Sequence, residues 1–160
     1  MPPPATVRVT ASWGTLSVVA SLVVLFSVGV SPERRGQILV TRSVDLATWT
    51  EPVVALEDPE PSFGWGNLES PAVLVRGGRY YLFVTRTSAA NVDYARTLVF
   101  ASRDPAGFAW EPLTEILAHA AEVFEHDGVT WITSAGWTHQ VGERWRGLAI
   151  ARLGWARRSP

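Results

Sequence analysis

Apolar and polar positions along the chain fall into short blocks that recur. Glu69-Ser-Pro-Ala-Val-Leu-Val-Arg and Arg79-Tyr-Tyr-Leu-Phe-Val-Thr-Arg flank Gly77-Gly78. Runs rich in β-branched and aromatic residues around such a pair predict a hairpin. The same pattern returns in His119-Ala-Ala-Glu-Val-Phe-Glu-His and Val129-Thr-Trp-Ile-Thr-Ser around Asp127-Gly128, at an offset of 50 residues. A second block joins an apolar strand to a turn. Gln37-Ile-Leu-Val-Thr-Arg-Ser43-Val-Asp45 matches Thr97-Leu-Val-Phe-Ala-Ser102-Arg-Asp104, with Trp49 and Phe108 each six residues beyond the Ser. The Asp of Ser-x-Asp caps its own turn, a local structural role. Pro52 to Leu56 and Pro112 to Leu117 supply a further strand after each turn, and Leu22-Val-Val-Leu-Phe-Ser aligns with Arg79-Tyr-Tyr-Leu-Phe-Val at an offset of 57.

These periods predict an all-β chain of about three units, over residues 6–56, 69–117 and 119–155. Each is expected to be a four-stranded antiparallel meander, the signature of β-propeller blades. Residues 1–160 then form a single partial propeller domain. Propellers generally close with about four to eight blades, so three leave the ring open. Arg144 to Arg152 superficially suggests a helix, but its place in the repeat predicts a strand. Leu16 to Val30 has two readings, the apolar region of a signal segment or buried strands. It is short for a membrane span, which needs about 20 residues. The repeat requires a strand there, and its β-branched content agrees.

Composition narrows the function. The chain has 160 residues, 47% hydrophobic and 18% charged, with a net charge of -1. That is globular, and no basic surface invites nucleic acid or an anionic membrane. All basic residues are Arg, and there is no Cys, which excludes disulfides, thiolate metal sites and a Cys nucleophile. His119, His126 and His139 are scattered, so no metal site and no cofactor are expected. Eight Trp are many for this length and suit either a sugar site or a propeller core.

The ordered set of Gly36-Gln-Ile-Leu-Val-Thr-Arg-Ser-Val-Asp-Leu-Ala-Thr-Trp, Glu69-Ser-Pro, Ser102-Arg-Asp-Pro-Ala-Gly-Phe and His119-Ala-Ala-Glu-Val resembles the five-bladed propeller glycoside hydrolases. The likeness is to families 32, 43 and 68, with the mannoside phosphorylases of family 130 further off. It runs from about Leu22 to Trp155. It implies a sugar bound at the mouth of the central channel, with Glu69 as catalytic acid/base, because that family's acid lies in a Glu-Ser-Pro-like motif at the start of an inner strand. Partial desolvation of a rim carboxyl suits a general acid.

The repeat itself places His119 at the rim position equivalent to Glu69, where it would bond a sugar hydroxyl or tune Glu69. Glu122 in Ala-Ala-Glu-Val-Phe is a further candidate, as a sugar ligand or as the partner of an Arg such as Arg146. In Ser62-Phe-Gly-Trp-Gly-Asn67, Trp65 is expected to stack on a sugar ring and Asn67 to bond hydroxyls. Asp104 mimics the family's stabilising Asp in Arg-Asp-Pro, but the repeat aligns it with Asp45 in an outer turn.

Glycosidases of this kind need two carboxylates across the scissile bond. The first acidic residue is Glu33, so nothing before it supplies the family's N-terminal nucleophile or stabilising Asp. The expectation is therefore a glycosidase-like chain that is N-terminally incomplete or degenerate, inactive alone, and an enzyme only if completed by missing blades. The alternative is a non-catalytic carbohydrate-binding or interaction module. The expected partner is a carbohydrate ligand, with self-association through exposed blade edges. No membrane contact is expected unless residues 16–30 act as a signal or anchor, and cytoplasmic and secreted locations both stay open.

Overall fold

The computed structural model describes residues 8–11, 14–19, 22–62, 67–87, 96–135 and 147–156, with side chains from Val24 onward. Twelve strands make up the described secondary structure: β1 (Arg8–Ala11), β2 (Gly14–Val19), β3 (Leu22–Val30), β4 (Arg35–Ser43), β5 (Val53–Pro61), β6 (Leu68–Arg76), β7 (Arg79–Arg86), β8 (Arg96–Ser102), β9 (Thr114–Leu117), β10 (Val123–His126), β11 (Val129–Ser134) and β12 (Ala149–Arg152). They form three antiparallel sheets, β1 to β5, β6 to β9, and β10 to β12, each in sequence order. The expected all-β blade architecture is present. Only the middle sheet has the four strands predicted for every unit. The first adds β1 beside β2, and the third has three strands among the described residues.

Local chemistry explains the turns. Gly77 and Gly78 have φ of 56° and 71°, while Asp127 and Gly128 have 49° and 73°. Two successive left-handed residues make the tight hairpin turn that matches strand twist. In the Ser-x-Asp turn, the Ser43 hydroxyl accepts from the Asp45 and Leu46 amides, and Asp45 Oδ1 accepts from Ala47 and Thr48 at 2.9 and 2.7 Å. Asp104 repeats this role, accepting from the Ala106 amide at 2.9 Å. It lies in an outer turn, its side chain 67% exposed and paired with Arg42. Residues Leu22–Val30 pair along their length with β4, from Val23 opposite Ser43 to Val30 opposite Gly36, and so are a sheet strand. Arg152, within the segment that superficially suggests a helix, lies in β12.

The middle sheet is covered on both faces, which is why its strands read as continuous apolar runs. On one face Leu68, Val73, Leu82, Val84, Leu98 and Phe100 pack against Val24, Phe26, Ile38, Val40 and Leu56 of the first sheet, with Phe108 closing the wedge. On the other, Ala72, Leu74, Phe83 and Val99 meet Ala118, Ala121, Val123 and Ile132 before and within the third sheet. Trp155 seals this second joint edge-on to Tyr81, with its indole N–H donating to Thr130 at 2.9 Å and Arg76 over its ring. Gly36 sets the approach of the first two sheets. A Cβ there would lie 2.8 Å from the Asn67 amide nitrogen and 2.9 Å from that of Leu68, so any side chain would push β6 away.

The registers repeat. Val73 opposes Leu82 and Leu74 opposes Tyr81, as Val123 opposes Ile132 and Phe124 opposes Trp131. By this equivalence the third sheet's remaining face carries Glu122 and Thr133 where the second has Ala72 and Phe83. Arg152, opposite Trp131, stands where Ala101 faces Tyr81.

A buried ion pair ties the first two sheets together. Asp58 of β5 is fully buried. It receives Arg86 Nε at 2.7 Å and Nη2 at 3.0 Å, Asn67 Nδ2 at 3.2 Å and the Glu60 amide at 2.9 Å. Arg86 also bonds Glu60 at 2.8 Å and lies over the Trp110 ring. The Asp58 hydrogen bond, outweighing burial, raises the Arg86 pKa above its ordinary value. Removing one partner strands the other charge. Asp58→Ala is expected to cost about 3 kcal/mol, the lower end for a buried pair because Arg86 stays 28% exposed; urea unfolding checks it. The amides of Thr48 and Ala47 hold the Asp45 carboxyl below its ordinary 3.8. Its contribution to stability is complete above that value and lost as pH falls through the lower folded one. Asp45→Asn should flatten the stability profile below pH 3.8, measured by chemical unfolding across pH.

Candidate functional site

Two of the sequence-predicted residues meet directly. Glu69, the second residue of β6, places Oε1 3.2 Å from His119 Nε2 on the segment entering β10. The side chains are 24% and 13% exposed, so the pair opens to solvent from a mostly enclosed position.

The backbone aims both groups by the same device. Glu69 opposes Thr85, but Ala72 opposes Phe83, so Ser70 and Pro71 together face one residue of β7. This bulge puts Ser70 at φ 50°. A bulge bends the strand and re-aims the side chains beside it. Fifty residues later Ala120 has φ 47°. There the His119 carbonyl accepts from the Ala135 amide at 2.9 Å, and the Glu122 carbonyl accepts from the Thr133 amide at 2.9 Å, while the Glu122 amide donates to the Thr133 hydroxyl. Non-glycine residues rarely adopt this conformation, and such positions concentrate at functional sites.

Two other candidates lie close to this pair along the chain. Asn67 is buried two residues before Glu69, and its side chain turns to Asp58. Its carbonyl accepts from the Thr87 amide at 2.8 Å. Glu122 stands three residues past His119, at the position of Ala72 in the middle sheet, with its amide donating to Thr133 Oγ1 at 3.1 Å. Trp65 and Arg146 lie outside the described residues.

Four residues that sequence reasoning did not single out hold the site. Asp58 and Arg86 fix the ends of β5 and β7 beside the start of β6. Thr85 and Thr97, each fully buried and paired across β7 and β8, reach the segment carrying His119. Sequence carried no signal for Thr85: an unbroken hairpin around Gly77-Gly78 would set Arg86 opposite Glu69, and the bulge at Ser70 and Pro71 brings Thr85 there instead.

A carboxyl and an imidazole at hydrogen-bonding distance can hold one proton between them, which is the equipment of general acid–base chemistry. No group of three or more His, Cys, Asp or Glu placed to hold a metal occurs among the described residues.

No family model and no curated protein matches the chain. Solved structures do. An exo-β-1,3-galactanase from Phanerochaete chrysosporium with galactose superposes with a TM-score of 0.66 at 16% identity, over 94% of this chain and 39% of the enzyme. A GH43_1 enzyme from Xanthomonas citri gives 0.66 at 14%, over 93% and 54%. A Bombyx mori GH32 β-fructofuranosidase gives 0.62 at 16%, over 86% and 33%. The chain thus spans between a third and about half of these relatives. Its fold is that of a stretch of the five-bladed propeller glycoside hydrolases of families 43 and 32.

Proposed function

We propose that this chain carries the acid side of a glycoside-binding rim, with Glu69 as the acid/base carboxyl and His119 as its hydrogen-bonding neighbour. The observation that carries this reading is the 3.2 Å contact between Glu69 and His119, each followed by a left-handed residue at equivalent points of successive sheets. Relatives of the same fold were solved with galactose and with xylose, so these two sugars are the first probes. Glu69 bonds a hydroxyl or the glycosidic oxygen, His119 steadies its carboxyl, and Glu122 and Trp65 contribute to the sugar surface. Asn67 supports this rim from behind, through Asp58.

Glycoside hydrolysis needs a second carboxylate on the other side of the bond. Strands β1 and β2, Arg-Val-Thr-Ala and Gly-Thr-Leu-Ser-Val-Val, contain none. The purified chain is therefore proposed to bind sugars without turning them over. Calorimetric titration with galactose, xylose and their oligomers should show binding that weakens about tenfold or more in Glu69→Ala, the scale of one charge-assisted hydrogen bond. Aryl-glycoside assays should stay at background for the wild type. Robust turnover abolished by Glu69→Gln would overturn the non-hydrolytic part of the proposal. Undiminished sugar binding in Glu69→Ala would overturn the site.

A further inference from the structure

The Glu69–His119 contact depends on where the His119 backbone is held, and four hydrogen bonds hold it. The His119 amide donates to Ser134 Oγ at 3.0 Å, and its carbonyl accepts from the Ala135 amide at 2.9 Å. On either side, the Ala120 amide donates to Thr85 Oγ1 at 2.9 Å, and Thr97 Oγ1 donates to the Ala118 carbonyl at 2.8 Å. The two threonine oxygens are 3.4 Å apart, and both side chains are fully buried. A hydroxyl has one proton to give. Thr97 gives its proton to Ala118, so Thr85 is the donor between the two hydroxyls. The chain of donors therefore runs one way, from the Ala120 N–H through Thr85 and Thr97 to the Ala118 carbonyl.

Thr85 has a second position in the site. It is the residue of β7 directly opposite Glu69. One residue therefore touches the site from both sides, through the ladder to Glu69 and through its hydroxyl to the turn that carries His119. We infer that Thr85, with Thr97 behind it, is a positioning residue that sets the reach of His119 to Glu69. This rests on the reading of those two residues as the site. The threonines touch no sugar; they fix the left-handed Ala120 and the peptide before His119. A valine at position 85 keeps the volume but leaves the Ala120 N–H without its acceptor. Serine keeps the hydroxyl.

The test uses the full chain labelled with 15N and reads the imidazole ring resonances of His119, assigned with His126→Gln and His139→Gln variants. Replacing Glu69 by Gln should move these resonances in the wild-type background and in Thr85→Ser. It should leave them unmoved in Thr85→Val. Should Thr85→Val fail to fold, Thr97→Val breaks the same chain at its other end and is read in its place. A His119 response to Glu69→Gln that persists in the valine variant overturns the inference. So does its absence from the wild type. An intact response that is lost in the valine variant, in a protein that binds neither galactose nor xylose, supports the clamp while removing the sugar-site reading.

Discussion

A carboxylate with no exposure is the constraint on which this structure depends. Asp58 can be held away from water only if donors surround it, and four meet it: two from Arg86, one from Asn67 and the Glu60 amide. Those donors belong to the end of β7, the residue before β6 and β5 itself. Satisfying one buried charge therefore brings three chain segments to one point, and the alternative of a stranded charge is costly. Glu69, the second residue of β6, follows Asn67 by two positions. Thr85, which precedes Arg86, faces the other way toward His119. The site thus stands on one side of the middle sheet and its ionic anchor on the other.

Much of the fold was legible because its signals are local. Gly77-Gly78 and Asp127-Gly128 announce tight turns by composition alone, and both adopt them. The apolar run from Leu22 has a definite strand partner, which the repeat required. Strand number was less legible. The extra β1 beside β2 has no counterpart in the middle sheet, and no local pattern marks a strand as surplus to a repeat. The close approach at Gly36 was also hidden, since a glycine at the start of a strand has many ordinary reasons to be there.

Glu69 and His119 could be paired in sequence because they stand fifty residues apart at matching points of the repeat, and their side chains meet at 3.2 Å. Asn67 was different. Its sequence neighbours suggested a sugar contact, but its side chain is turned to Asp58, a residue nine positions away that no motif marks. Thr85 and Thr97 look like ordinary strand residues, as threonine is favoured on pleated surfaces. Their importance lies in hydroxyl direction, and direction emerges only when two strands and an incoming turn are in place.

The repeat equivalence gives the third sheet a distinct surface character. Where the middle sheet turns Ala72, Phe83 and Ala101 toward its neighbour, the third presents Glu122, Thr133 and Arg152, beside Phe124, Trp131 and Ile150. Arg152 lies over the Trp131 ring, spreading its charge across the largest apolar area there. A body that docks on this mixed face must match its charges as well as its aromatic carbon, so charge complementarity selects among partners.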